Sequence, residues 1–533
     1  MSTPRVPGPL HAAGLKRQRG GCRRWLASVL AWIALPVLAQ ASSVDASLAA
    51  RIDAHVDLPR FAAASWSIQA VSLDDGRVIY ARDAGRLLVP ASAAKLFIGA
   101  LALDALGPDH RIATSLLATA RPDRHGTLHG DLILYGYGDP SLGTELHAGW
   151  ADDLAQSAWR AGVRKVEGDL VADATRFSTS ATGAGWEAAD LQSWFGAPAM
   201  AVNIGENVAR VFIRPAEKAG EAARVRFEPP SFAQAFGLDN ALLTVAPPGR
   251  SDLSLVRRPG SARLHAFGTV AVGARESAYR LALPDPPLIA GQLLRQALAE
   301  RGIEVAGTLR SIAWPAVDRE RPDAPWRIAD TWSPPLAQVL ERGLKASQNL
   351  YLQSMLLMVG AAEADRLRAS ATDTAAGASP LPFRTTEQLG IVALRRYLAR
   401  LGIEPSEVTV EEGAGLSRRN LASARGFVKL LVALADDPAA RAFRAALPIA
   451  GVDGTLAGRL RKHPTRGRVF AKTGAMANVA SLAGYATTAT GERIAFAILL
   501  DNYLRPADAA RASAELDAIV TMLVDPEPRD PRE

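Results

Sequence analysis

From Ser65 to Arg82, apolar and polar positions alternate on either side of Asp74-Asp75-Gly76. That period of two predicts a β-hairpin. The pattern then changes. Pro90 precedes Ala91-Ser92-Ala93-Ala94-Lys95-Leu96-Phe97, and an Ala- and Leu-rich run continues to about Leu106, so a helix is predicted to begin near Ser92. Between about Gly107 and Arg327, short strand-like runs recur among Gly, Pro and Asp clusters: Leu132 to Tyr135, Leu170 to Ala172, Val208 to Ile213 and Leu242 to Val245. This stretch reads as largely β, in one or two inserted modules. Helical spacing returns from Pro335 to about Ala361. Glu363 to Pro382, rich in Ala, Ser, Thr and Asp, is predicted to be a surface loop. Helices follow near Glu387–Leu401 and Ser423–Ala435, then two or three strands within Val469–Leu500, turning near Thr490-Gly491. A last helix is predicted near Ala507–Leu523, before a charged tail. No sequence repeat is visible.

Composition sets the scale. The chain has 533 residues, 48% of them hydrophobic and 22% charged. Single cores stop growing near about 250–300 residues, so two or more domains are expected. The formal net charge of +7 invites a nucleic-acid partner, but residues 1–41 hold Arg5, Lys16, Arg17, Arg19, Arg23 and Arg24 and no acid. The remainder carries only about +1, which gives no nucleic-acid footprint. This leader has a basic stretch, an apolar run from Trp25 to Ala39, and the small-x-small site Ala39-Gln40-Ala41. It predicts a signal peptide cut after Ala41, with an uncleaved membrane anchor as the alternative. Arg23-Arg24 hints at twin-Arg export, although the general secretory route fits better. The single cysteine, Cys22, precedes the apolar run, so the mature chain has no disulfide, cysteine nucleophile or thiolate metal site.

Most common catalytic signatures are absent: no Gly-x-Ser-x-Gly, no His-Glu-x-x-His and no phosphate loop. The eight histidines are scattered, so neither a metal site nor a histidine-based serine triad is suggested. Lysine is more telling. The chain has eight lysines against 53 arginines. Where lysine persists, a property peculiar to lysine is indicated, since a desolvated amine can accept a proton and a guanidinium cannot. Three of the eight lie beside small hydroxyl residues: Ser92-Ala93-Ala94-Lys95, Lys345-Ala346-Ser347-Gln348-Asn349 and Lys472-Thr473-Gly474. Residues i and i+3 share a helix face, which brings the Lys95 amine to the Ser92 hydroxyl. Lys95 can serve as base only if burial or a nearby cation, with Lys472 the candidate, lowers its pKa. The helix N-terminus would also favour a developing oxyanion. Taken singly, Lys95 also reads as a surface cation, Ser347 as a cap, Asn349 as a turn former and Lys472-Thr473-Gly474 as an exposed strand end.

Ser-x-x-Lys, Ser-x-Asn and Lys-Thr-Gly in this order resemble the penicillin-binding protein and serine β-lactamase superfamily. Lys95 and Ser347 stand 252 positions apart. Such a gap is similar to that of the class C low-molecular-mass penicillin-binding proteins, the D-Ala-D-Ala carboxypeptidase/endopeptidase family. Gly138-Asp139-Pro140, Gly168 to Asp173, Gly413 to Arg418 and Gly451 to Leu456 carry the resemblance along nearly all of the mature chain.

The resemblance implies an α/β (α+β) transpeptidase-like fold, an antiparallel sheet flanked by helices and interrupted by a β-rich insertion. The expected organisation is a leader (1–41), a first part (42–107), inserted modules (108–327), a second part (328–525) and a tail (526–533). It implies Ser92 as the acylated serine, Lys95 as general base, and Ser347 and Asn349 as the completing network, with Ser347 relaying a proton. Lys472, Thr473 and Ser347 would hold the substrate's terminal carboxylate. The backbone N–H groups of Ser92 and Ala475, beyond Gly474, would form the oxyanion hole. Arg418 and Asp173 would line the cleft, Asp173 toward a diaminopimelate amine. Gln348 departs from the Asp often found between Ser and Asn, so local electrostatics would differ. The expected substrates are peptidoglycan stem peptides and cross-links, with β-lactams as acylating inhibitors, in the periplasm, and with neither metal nor organic cofactor. A β-lactamase or esterase, or a non-catalytic wall-binding protein, is the alternative.

Overall fold

The alternation at Ser65–Arg82 becomes the predicted hairpin in the computed structural model of the chain: strands Ser65–Ser72 and Val78–Arg82 pair antiparallel. The structure describes residues 43–316, 325–372, 382–438, 440–505 and 510–526. The leader and the charged tail therefore lie outside the described residues.

The hairpin joins three C-terminal strands in one antiparallel sheet, ordered Val469–Met476, Val479–Thr487, Arg493–Asp501, Ser65–Ser72, Val78–Arg82. Period-two patterning assigns its faces. Ile494, Phe496, Ile498 and Leu500 join Leu48, Ile52, Leu516 and Val520 of the terminal helices Ser43–Val56 and Ala512–Val524. Ala495, Ala497 and Leu499 face the larger core, with helices Lys95–Leu106 and Ala424–Ala435. Small side chains on that face let helices approach the sheet closely.

Helix Lys95–Leu106 is central, with every residue from Lys95 to Leu103 buried, as a helix apolar all round must be. Its Gly99 is a close-approach site, because an added Cβ would lie 2.9 Å from Leu340 Cδ1 of helix Leu336–Lys345. The glycine thus sets how near the segment carrying Ser347 comes to the Ser92 turn.

Between these halves of the sheet, residues Ala113–Trp332 form further sheets. The largest is mixed, ordered Leu309–Ile312, Leu170–Asp173, Leu132–Gly136, Ala113–Ala118, Trp326–Trp332. Three three-stranded sheets accompany it: Gly237–Val245, Arg263–Ala271 and Asp252–Arg257; Ser277–Ala282, Val208–Arg214 and Arg224–Glu228; and the short strands Glu304–Val305, Lys165–Val166 and Thr127–Leu128. The predicted β character holds, but two helices, Trp150–Arg160 and Pro286–Glu300, add to it. Pro286-Pro287 reads as loop punctuation in sequence. In the structure it fills the first helical positions, where no N–H is needed, behind an Asp285 cap that accepts from Leu288 N at 3.0 Å.

The predicted loop at Glu363–Pro382 is overturned in part. Helix Asn349–Thr372 runs through its first ten residues, and residues 373–381 lie outside the described set. Polarity there marks a helix end that exposes Asp365, Arg366, Arg368 and Ser370, while buried Glu363 is held by Arg366 and by Arg396 of helix Thr386–Arg400. The helical run from Pro335 is also broken, at Ala346–Gln348. Among the described residues, no helix is long and apolar enough to cross a membrane.

Candidate active site

The Ser92 turn is a short 3-10 segment, Ala91–Ala94, that runs into helix Lys95–Leu106. Ala91 has φ +47°, a left-handed conformation that costs a residue with a Cβ roughly 1–3 kcal/mol. Surrounding contacts hold it. Val89 N–H donates to Asp501 Oδ2 at 2.8 Å, and Ser481 Oγ donates to the Pro90 carbonyl at 2.6 Å. The edge strand Val469–Met476 closes over the turn at Gly474, where a Cβ would sit 2.5 Å from the Pro90 carbonyl oxygen and 3.0 Å from Ala93 N. A glycine is therefore required for the strand to reach the Ser92 turn.

The helical spacing puts the Lys95 amine 2.7 Å from Ser92 Oγ. The same nitrogen lies 2.6 Å from Asn349 Oδ1. Asn349 Nδ2 donates to the Phe195 carbonyl at 2.7 Å, which fixes the amide so that its oxygen faces the lysine. Lys95 has no solvent exposure. Burial pushes its pKa from 10.5 down to about 7, opposed by the Glu412 carboxylate. Lys472 on the edge strand is equally buried. Burial, then the charge of Lys95, holds its pKa well below the usual range. Two amines that repel in a dry site share one proton between them more readily than they hold two.

Ser347 closes the cleft from the third side. It has φ +56° and follows helix Leu336–Lys345. Ser347 N–H donates to Leu344 O at 3.3 Å, and Gln348 N–H to Gly343 O at 2.9 Å. This is the Schellman arrangement, with a serine where glycine is usual. Its Oγ accepts from Lys472 Nζ at 2.9 Å, and Lys472 also donates to the Thr473 carbonyl at 2.8 Å. Thr473 Oγ1 pairs with Thr455 Oγ1 at 2.8 Å.

Two hydrogen-bonded chains therefore meet at one cleft: Ser92–Lys95–Asn349 and Ser347–Lys472–Thr473–Thr455. Ala475 is exposed one residue beyond Gly474 on the edge strand. Arg418 lies further along, its guanidinium 3.4 Å from the Ala477 carbonyl and 3.5 Å from Glu187. Asp173 is fully buried at a strand end, where its Oδ1 accepts from Thr175 N–H and Oγ1 at 2.8 and 2.6 Å. Gln348 donates to Glu206 Oε2 at 2.7 Å.

Sequence reasoning missed Phe195, Glu206, Asp501 and Glu412. The first two lie between Ala113 and Trp332 and meet the site only through the fold. Asp501, whose pKa burial pushes up to about 6, acts through a backbone N–H and has no motif. Glu412 had a signal, standing directly before Gly413-Ala414-Gly415. Its buried carboxylate accepts from the N–H groups of Ala414, Leu416 and Ser417, from Asn420 Nδ2 and from Trp186 Nε1. Because Glu412 raises the pKa of Lys95, Glu412→Gln is expected to move the acid limb of any Lys95-dependent rate to lower pH. Penicillin acylation rates measured across pH check this, and an unchanged or higher midpoint would contradict it.

A neutralisable buried amine against a serine hydroxyl at a helix start, facing a lysine-bearing edge strand, defines a serine acyl-transfer hydrolase on a mixed α/β scaffold. The chain belongs to the D-Ala-D-Ala carboxypeptidase 3 (S13) family, which it matches over residues 48–523, and it is a serine-type D-Ala-D-Ala carboxypeptidase. It is 32% identical to the D-alanyl-D-alanine carboxypeptidase of Actinomadura sp. (strain R39), covering 96% of this chain and 92% of that one. The crystal structure of penicillin binding protein 4 (dacB) from Haemophilus influenzae is similar with a TM-score of 0.73 at 25% identity, covering 89% of this chain and 98% of that one. A second structure of that protein, complexed with a novel β-lactam, has a TM-score of 0.69 at 23% identity, covering 89% and 99%.

Proposed function

We propose that Ser92 attacks the carbonyl of the penultimate D-Ala of a peptidoglycan stem peptide while neutral Lys95 takes its proton. The observation that carries this reading is the fully buried Lys95 amine 2.7 Å from Ser92 Oγ. Asn349 aims the amine, and the N–H groups of Ser92 and Ala475 receive the oxyanion. Lys472, Thr473 and Ser347 bind the terminal carboxylate. That anion favours a proton on Lys472, which leaves Lys95 neutral. Collapse of the tetrahedral intermediate breaks the C–N bond, and the proton taken by Lys95 passes through Ser347 to the departing amine, which leaves Lys95 neutral again. Water, deprotonated through Lys95, then hydrolyses the ester and restores Ser92.

Where the scissile bond is a D-Ala–diaminopimelate cross-link, the same steps give endopeptidase action. Arg418 lines the cleft. In this reading Asp173, whose Oδ1 accepts from the Thr175 hydroxyl, meets the diaminopimelate amine. β-Lactams acylate Ser92 as mimics of the D-Ala-D-Ala terminus, in keeping with the β-lactam complex of the Haemophilus influenzae relative. The enzyme works in the periplasm after export and cleavage behind Ala41, with residues 108–327 inserted between the two parts of its transpeptidase-like domain.

Incubating the purified protein with pentapeptide muropeptides and cross-linked dimers is the direct test. D-Ala release and conversion of dimers to monomers are expected. Turnover of a chromogenic cephalosporin without D-Ala release would instead make it a β-lactamase.

A further inference from the structure

The turn that carries Ser347 and Asn349 is poorly suited to hold itself. Ser347 occupies a left-handed position that favours glycine, and its two local hydrogen bonds come from backbone alone. Besides Lys472 on Ser347 Oγ and Lys95 on Asn349 Oδ1, the turn's side-chain anchors come from the segment between Ala113 and Trp332. Asn349 is held by the Phe195 carbonyl. Gln348, only 7% exposed, is held by the Glu206 carboxylate. Glu206 gathers three further donors on its other oxygen: Arg342 Nε at 3.1 Å, Arg342 Nη2 at 2.9 Å and Tyr351 OH at 3.4 Å. Arg342 lies on the helix before the turn and Tyr351 on the helix after it. One carboxylate therefore ties both flanking helices and the turn's middle residue together. Its side chain is 13% exposed, which spares these contacts most of the screening that weakens surface pairs.

We propose that Glu206 is a positioning residue for the reaction, acting through Gln348 to hold the Ser347 hydroxyl and the Asn349 amide where Lys472 and Lys95 need them. The inserted region is then part of the catalytic apparatus as well as of the architecture. This rests on the roles given above to Ser347 and Asn349. Without the anchor, the strained turn relaxes, Ser347 Oγ leaves Lys472, and the cleft stays assembled but misaligned. A misplacement of about 1 Å can cost about 10²-fold in rate.

The test is a double-mutant cycle on the full protein, reading penicillin acylation and D-Ala release. Glu206→Ala should lower kcat for D-Ala release and the acylation rate by roughly 10- to 100-fold. Glu206→Gln should lose less, since an amide keeps one acceptor. Gln348→Ala should lose comparably to Glu206→Ala, and the double variant should be no worse than the poorer single one. The acid limb of the pH profile should stay at the wild-type position in Glu206→Gln, because Lys95 remains buried. General loosening of the cleft would hydrate Lys95 and move that limb upward. Wild-type rates in Glu206→Ala, losses that multiply in the double variant, or a shifted acid limb would each overturn the proposal. If Glu206→Ala does not fold, the cycle with Glu206→Gln decides. Ser347→Ala separates the two levels. Its full activity would sink the role of Ser347, whereas its loss alongside an unimpaired Glu206→Gln and Gln348→Ala pair would sink only the role of Glu206.

Discussion

Ser92→Ala is expected to bind penicillin without forming a covalent adduct, so intact-protein mass spectrometry shows the +β-lactam species for wild type alone. Release of D-Ala falls by up to about 10⁶-fold, the scale at which removing a serine nucleophile leaves only binding and oxyanion stabilisation. The turn itself should survive. Its anchors are Val89 N–H on Asp501 and the Pro90 carbonyl on Ser481, neither of which uses the Ser92 side chain. A folded, unlabelled Ser92→Ala protein therefore isolates chemistry from structure. Persistent labelling of that variant would remove Ser92 from its role.

The second large effect lies at Lys95, and it separates activity from stability. Lys95→Met removes the base and should lower acylation by about 10²- to 10⁴-fold. It should also make the protein more stable at neutral pH. The pKa of Lys95 falls from 10.5 to about 7 in the folded chain, so the unfolded chain holds a proton between those values that the folded chain has given up. Folding stability is fully present above about pH 10.5 and is lost as pH falls toward 7. At pH 7 that loss is on the order of several kcal/mol for a group this buried. Methionine fills the same volume without it, though Asn349 Oδ1 loses a donor at a cost of about 1–3 kcal/mol. The expected net result is a higher Tm at pH 7 and a flatter rise in stability from pH 7 to 10. Lys95→Arg should go the other way, losing acylation and stability together, because a guanidinium cannot shed its charge in the buried site. A Lys95→Met protein less stable than wild type, or a Lys95→Arg protein with near-normal acylation, would contradict the assignment.

The proposed Ser92–Lys95 pair was legible because it follows local rules. Ser92 and Lys95 meet through the i, i+3 spacing of one helix turn, and the Asp74-Asp75-Gly76 hairpin follows from alternation. The scarcity of lysine marked Lys95 and Lys472 before any fold was known. Elsewhere the signals failed for physical reasons. The Glu363–Thr372 segment looks like loop by composition, but an ion-paired helix end has the same composition. The helices Trp150–Arg160 and Pro286–Glu300 hid among turn-forming residues.

What the amino-acid sequence carries alone is the local pairing of Ser92 with Lys95 and the helix start and strand that bear Ser92 and Lys472, since these depend on neighbours three or four positions away; the turn at Ser347 was not among them. What only the tertiary structure decided was their protonation and alignment. The depressed pKa of Lys95 comes from a shell of residues distant in sequence. Its orientation comes from Asn349 and Phe195, and the hold on Ser347 from Glu206. Burial and electrostatics sum over everything within a few ångströms, and a linear chain does not say which of its distant parts those will be.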